Sequence, residues 1–258
     1  MIVSVIAMFV PFLTGLNGPD GLYATENGIY VCEENTGRIL CVTADGNAIV
    51  VAEGLASPEG IYVAEDGRIL VVEDTMSGRL VEIHHGCFTT LASDLCCPEG
   101  VTVDNRGTIW FTTGGIEGGS IFTTLWKITS NIPTREYSLP SAFSFSDLEV
   151  AADGMIYICS ESSGIFGNVA VFRFDPVTFA LTPFVTGVTA CEGIGMTDGG
   201  FPFYITEESG AVYRVDSSGV LSLVQSNLSA VEDVAVFNNQ IFVTEDGTGS
   251  LLRLDVDE

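Results

Sequence analysis

Basic residues are scarce in this chain. Nine Lys and Arg stand against 34 Asp and Glu over 258 residues, a formal net charge of −25. Nucleic acid and anionic membrane surfaces both need a basic footprint, so neither is an expected partner. Histidine is rarer still: His84 and His85 stand side by side where an outer hairpin turn is expected. A solvated turn leaves no histidine for a Ser-His-Asp triad. The seven cysteines show no C-x-x-C pair and no metal-type spacing. Cys32, Cys41, Cys87 and Cys159 fall on strand-like segments and read as small buried hydrophobes, which suits a reducing compartment. A bridge between Cys32 and Cys41 is the alternative. The apolar opening, residues 1–13, has no Lys or Arg ahead of its run and is too short to span a bilayer. No signal peptide is read there, a cytoplasmic location is expected, and the sequon at Asn227-Leu228-Ser229 carries no weight. The Gly-rich stretch 114–120 lacks the Lys and following helix of a phosphate cradle, so it reads as a flexible lid. Helical periodicity is not sustained anywhere.

What is present is one sentence written six times. Residues 97–113 form a tight turn carrying a carboxylate, a short strand, a Gly-containing hairpin turn and a second apolar strand. The leading positions of the six copies are Asp20, Glu59, Glu99, Ser146, Glu192 and Glu232, each eight residues before a turn residue. Copies follow one another at 39 to 47 residues. That period, with two hairpin signals per copy, predicts an all-β, six-bladed propeller with four strands per blade, a single domain spanning 1–258. Residues 12–21 align with 51–60, the last strand of one blade and its exit loop. The N-terminal segment is therefore expected to be the outermost strand of a blade whose other three strands come from the C-terminus, which closes the ring and removes its open edge.

In such a ring the first strand of each blade lines the channel, and its leading residue points at the channel mouth. Five or six carboxylates would then converge, with Asp147 a one-register alternative to Ser146. Two unit charges about 5 Å apart repel by roughly 3 kcal/mol at an effective dielectric near 20. Protons, donors or a hard cation must offset this, and Ca²⁺ is the simplest choice, with another divalent ion or none as alternatives. The plainer reading is that Pro and Gly shape a turn and each Glu accepts hydrogen bonds from local backbone. A second tier of polar residues, Glu33, Glu73, Thr113, Ser160, Glu207 and Glu245, ends the second strands and is expected to face solvent. Cys97 and Cys191 flank the ring, where carboxylates would raise their pKa and blunt them.

On these motifs the chain resembles the six-bladed family of senescence marker protein 30, the gluconolactonases and the strictosidine-synthase-like proteins. The resemblance implies metal ligands at Asp20, Glu99, Ser146 or Asp147, and Glu192. The family's two asparagines are missing and each acid is exchanged for the other, which raises the negative charge of the site. The implied activity is hydrolysis of a lactone or related ester on a small-molecule substrate, with Glu59, Glu99, Glu192 and Glu232 as catalytic carboxylates. The alternatives are a metal-independent cyclase or condensing enzyme and a non-catalytic binding propeller. Long loops supply Phe122, Phe143, Phe145, Ile165 and Phe166 as an apolar pocket wall. A monomer is expected.

Overall fold

The computed structural model describes residues 8–114, 116–117, 120–130, 132–140, 144–161 and 168–255. Six antiparallel sheets stand around one axis, and each innermost strand packs against the next until the circle closes. These innermost strands are Pro19–Thr25, Pro58–Val63, Val101–Val103, Phe145–Val150, Cys191–Met196 and Val231–Phe237. In the last blade Val10–Thr14 pairs antiparallel with Ser250–Asp255, so the shared closing blade read from the sequence is observed. The third blade adds a two-residue strand, Ile116–Glu117, outside its four. Among the described residues the only helices are two three-residue 3₁₀ turns, and none is long and apolar enough to cross a membrane.

Burial falls from axis to rim, and the side-chain pattern follows it. Second strands such as Ile69–Glu73 and Ile156–Ser160 are buried throughout, covered on both faces by neighbouring blades. They therefore read as unbroken apolar runs rather than alternating ones. Rim strands such as Ala48–Glu53 are mostly exposed. Cys32, Cys41 and Cys159 are buried as expected, and Cys32 and Cys41 carry no bridge. Cys87 differs: it opens a rim strand and is exposed. His84 and His85 lie at the hairpin before it, rings 4.0 Å apart.

Candidate active site at the acidic mouth of the ring

A β-bulge sets the leading residues. In five blades the register between first and second strands shifts across the leading pair: Asp20-Gly21, Glu59-Gly60, Ser146-Asp147, Glu192-Gly193 and Glu232-Asp233. In the third blade Glu99-Gly100 precedes the paired strand. Bulged residues leave the ladder, so their side chains can be re-aimed at the axis. A threonine on the second strand fastens the bulge in three blades. The N–H groups of Gly100, Gly193 and Asp233 donate to Thr112, Thr206 and Thr244 Oγ at 2.9, 2.8 and 2.9 Å. Thr112 and Thr206 donate in turn to the carbonyls of Ser146 and Glu232 in the next blade. Glycine after the acid allows that close approach. A Cβ on Gly21 would stand 2.1 Å from the Glu59 carbonyl oxygen, and one on Gly60 2.3 Å from that of Glu99.

The result is a cavity of about 80 Å³ lined by Asp20, Glu59, Glu99, Ser146, Asp147, Glu192, Glu232 and Asp233 with three of the glycines. The structure thus brings the ring residues together. Ser146 is almost wholly buried and its Oγ donates to the Cys191 carbonyl at 2.7 Å. Asp147 and Asp233 lie one step deeper, accepting the N–H of Ile194 (3.2 Å) and Leu22 (2.7 Å) across blade boundaries.

Five of the six second-tier residues are buried rather than solvent-facing and Glu207 is partly buried, a correction with a clear cause. Glu33, Glu73 and Glu245 accept the backbone N–H of Asn17, Ala56 and Ser229, at 2.9, 3.1 and 2.8 Å. Each of those donors sits three residues before the leading acid of its own blade. Arg38 and Arg79 complete two of these clasps from the rim. Thr113 accepts Trp126 Nε1, and Glu207 accepts the Tyr213 hydroxyl.

The residues one step further on were missed in the sequence. Glu34, Asp74, Glu161, Glu208 and Asp246 follow the second-tier positions in five copies, and Gly114 in the sixth. Their backbone N–H groups make the same bond six times, to the carbonyls of Gly18, Ser57, Ser144, Ala190, Ala230 and, for Gly114, Cys97, at 2.8–3.1 Å. Four of the accepting residues, Ser57, Cys97, Ala190 and Ala230, hold left-handed φ without being glycine, a strained conformation that this bond helps hold. The acids so placed form an outer ring around the inner one. The visible signal was acid repeating one residue past the strand end.

Among the described residues no basic side chain lines this cavity, and burial with mutual repulsion raises the proton affinity of its carboxyls. Burial and then Asp20 push Glu59 well above its ordinary value, and burial followed by Glu161 does the same to Glu99. Glu59 and Glu99 also share a hydrogen bond. Asp20 is raised by burial and then Glu232. Glu192 reaches about 10 through burial and Glu161, and Glu232 about 7 through burial and Asp246. Burial lifts Asp147 to about 7 against the N–H groups that bond it. Ligand atoms of Glu59, Asp74 and Glu99 lie within 4.8 Å of one another, and Asp74 Oδ1 is buried with no hydrogen-bond partner among the described residues. Burial also raises the proton affinity of Asp74, and an unpartnered buried oxygen in an all-oxygen group fits a hard cation.

The apolar wall is less complete than the sequence suggested. Phe145 is fully buried in the core, edge-on to Phe172, because its strand turns it between blades rather than over the mouth. Phe122 lines a separate pocket of about 400 Å³ with Cys96, Trp126, Pro133 and Arg135. Phe143, Ile165 and Phe166 lie outside the described residues. Cys191 is fully buried, its Sγ 2.8 Å from that of Cys159. Burial and Cys96 push the Cys97 thiol up to about 12.

No protein-family model matches the chain, and no curated protein matches it by sequence. Solved structures do match the backbone. A gluconolactonase from Xanthomonas campestris superposes with a TM-score of 0.81 at 16% identity, covering 97% of this chain and 90% of its own. A calcium-binding regucalcin from Agrobacterium tumefaciens gives 0.70 at 14%, covering 96% and 94%. A streptogramin B lyase gives 0.67 at 18%, covering 98% and 86%. The chain is a six-bladed propeller of the architecture shared by gluconolactonase- and regucalcin-like proteins. At these identities the likeness is one of fold, and activity must be argued from the mouth itself.

Proposed function

We propose that the protein hydrolyses a lactone or related ester of a small molecule at the acidic mouth. The observation that carries this reading is a three-carboxyl group with an unpartnered oxygen beside a cavity that also holds two carboxyls raised to different extents. On one side Glu59, Asp74 and Glu99 would hold a divalent cation, most simply Ca²⁺. Such an ion supplies Lewis-acid polarisation of a carbonyl when bound. On the far side, from the fifth and sixth blades, come Glu192 and Glu232. Glu192, lifted to about 10, keeps its proton at neutral pH and can donate to the leaving oxygen. Glu232, at about 7, is partly ionised and can take the proton of an attacking water. Two carboxyls driven apart in this way are suited to acid and base roles in one reaction.

The test is a lactone and ester panel assayed with added Ca²⁺ or with chelator. Turnover by the parent is expected, lost in Glu232→Gln while the cation-induced rise in Tm remains, and that rise is lost in Glu59→Gln/Glu99→Gln. No turnover of any lactone or ester with either addition sinks the proposal. A metal-free acid–base cyclisation or condensation is favoured by one observation, the hydrogen bond between Glu59 and Glu99, where a proton stands in for the cation. Turnover that survives the chelator unchanged selects it.

A further inference from the structure

Three sulfur atoms meet beside the separate pocket that Cys96 lines with Phe122, and the hydrolytic reading has no use for them. Cys96 Sγ and Cys97 Sγ are 3.7 Å apart, and Met76 Sδ lies 3.9 Å from the first and 3.8 Å from the second. The triangle is nearly equilateral. Its centre is about 2.2 Å from each corner, an edge divided by √3, close to the 2.3 Å of a metal–thiolate bond to a d¹⁰ ion. We propose that Met76, Cys96 and Cys97 form a trigonal binding site for one soft monovalent d¹⁰ cation, Cu(I).

Local backbone explains how neighbours in sequence come to share a face. Adjacent residues of an extended chain point their side chains to opposite sides. Cys97 instead holds φ 48°, a left-handed turn that swings its side chain round to that of Cys96. The turn is tied to the loop carrying the methionine: Cys97 N–H donates to the Thr75 carbonyl at 3.0 Å, and Gly78 N–H to the same oxygen at 3.1 Å. Gly114 N–H then fixes the Cys97 carbonyl at 2.8 Å. The three donors are therefore held by main-chain bonds before any ion arrives.

The donor set decides the class of ion. Two thiols and a thioether are soft ligands, suited to Cu(I) and poorly suited to the oxygen-seeking Ca²⁺ and Mg²⁺. Zinc would want a fourth ligand in a closed tetrahedron, whereas three sulfurs in a triangle already satisfy a trigonal ion. Met76 is 69% exposed and both cysteines are partly exposed, so the site has an open approach. Asp74, hydrogen-bonded to Cys97, and Glu99 stand beside it, so no positive charge opposes an incoming cation there. Binding is a ligand exchange without electron transfer: both thiols become thiolates, two protons leave to solvent, and the metal stays Cu(I).

The experiment is an anaerobic titration of the full chain with Cu(I) against a chromophoric Cu(I) chelator. One ion per chain is expected, with X-ray absorption showing a sulfur-only shell at about 2.2–2.3 Å. Cys96→Ser/Cys97→Ser should abolish binding, and Met76→Leu, a change at a largely exposed side chain, should weaken it at least tenfold. Cys87→Ser should leave it unchanged. Retained stoichiometry in the double variant, unaltered affinity in Met76→Leu, an oxygen-containing shell, or tighter binding of Zn²⁺ than of Cu(I) would each overturn the proposal. None of these readouts depends on hydrolytic activity.

Discussion

Asp74 is the residue on which the mouth turns. It sits in the outer ring, yet its nearest carboxyl neighbours, Glu59 and Glu99, belong to the inner one, and its Oδ1 is buried and unpartnered. Replacing it with asparagine removes one negative charge and supplies a donor. At 4.8 Å and an effective dielectric near 20 the repulsion between two unit charges is about 3.5 kcal/mol before screening by water. Asp74→Asn is therefore expected to raise Tm at pH 8 in chelator and to weaken Ca²⁺ binding at least tenfold, both read by thermal melts with and without the ion. A drop in Tm, or an undiminished calcium shift, would remove Asp74 from the site. The inner carboxylates were legible because each leads a repeated strand. Asp74 was not, since it lies one residue past the strand end, and its recurrence there in five copies shows only when the copies are aligned, while its own neighbours spell it no differently from Asp66 on a hairpin turn. Phe145 failed for the opposite reason. It was placed by its loop neighbours, whereas the strand pleat governs where it points.

At the level of the element, a leading acid followed by glycine recurs in four of the six blades. The acid supplies charge, and the glycine lets the next blade's bulge close in. Gly60 N–H donates to the Glu99 carbonyl at 2.9 Å, a contact with no room for a methyl group. Gly60→Ala is expected to cost about 3 kcal/mol, read from urea denaturation, by forcing the second and third blades apart. A loss under about 0.5 kcal/mol would mean that the inner strands are free to slide. The clasps beside the unit make a separate prediction. Glu73→Ala leaves the Ala56 N–H without its acceptor and Arg79 without its partner, a loss of about 1–3 kcal/mol, whereas Arg79→Ala, at the half-exposed end, should cost less than 1. Sequence periodicity gave the strands and their order almost without error, because turn residues recur at fixed offsets. It misjudged the clasps as solvent-facing, since burial of a strand end depends on the incoming loop of the same blade, which the strand itself does not encode.

Over the whole molecule, the same crowding fixes how stability responds to pH. A carboxyl in an unfolded chain titrates near about 4. Asp147 and Glu232 at about 7, Glu149 at about 8 and Glu192 at about 10 bind protons more tightly when folded. Between those limits the native state holds more protons than the unfolded one, so stability falls as pH rises. With chelator, Tm should be highest near pH 4–5 and decline steadily to pH 9, with divalent cation restoring only the part of the loss that Glu59, Asp74 and Glu99 contribute. A flat or rising profile would show that the acids are not buried together. The closing blade gives this crowding a timetable. Val10–Thr14 cannot pair until Ser250–Asp255 has been synthesised, so the circle of anionic groups is complete only once the last strand of the sixth blade has been made.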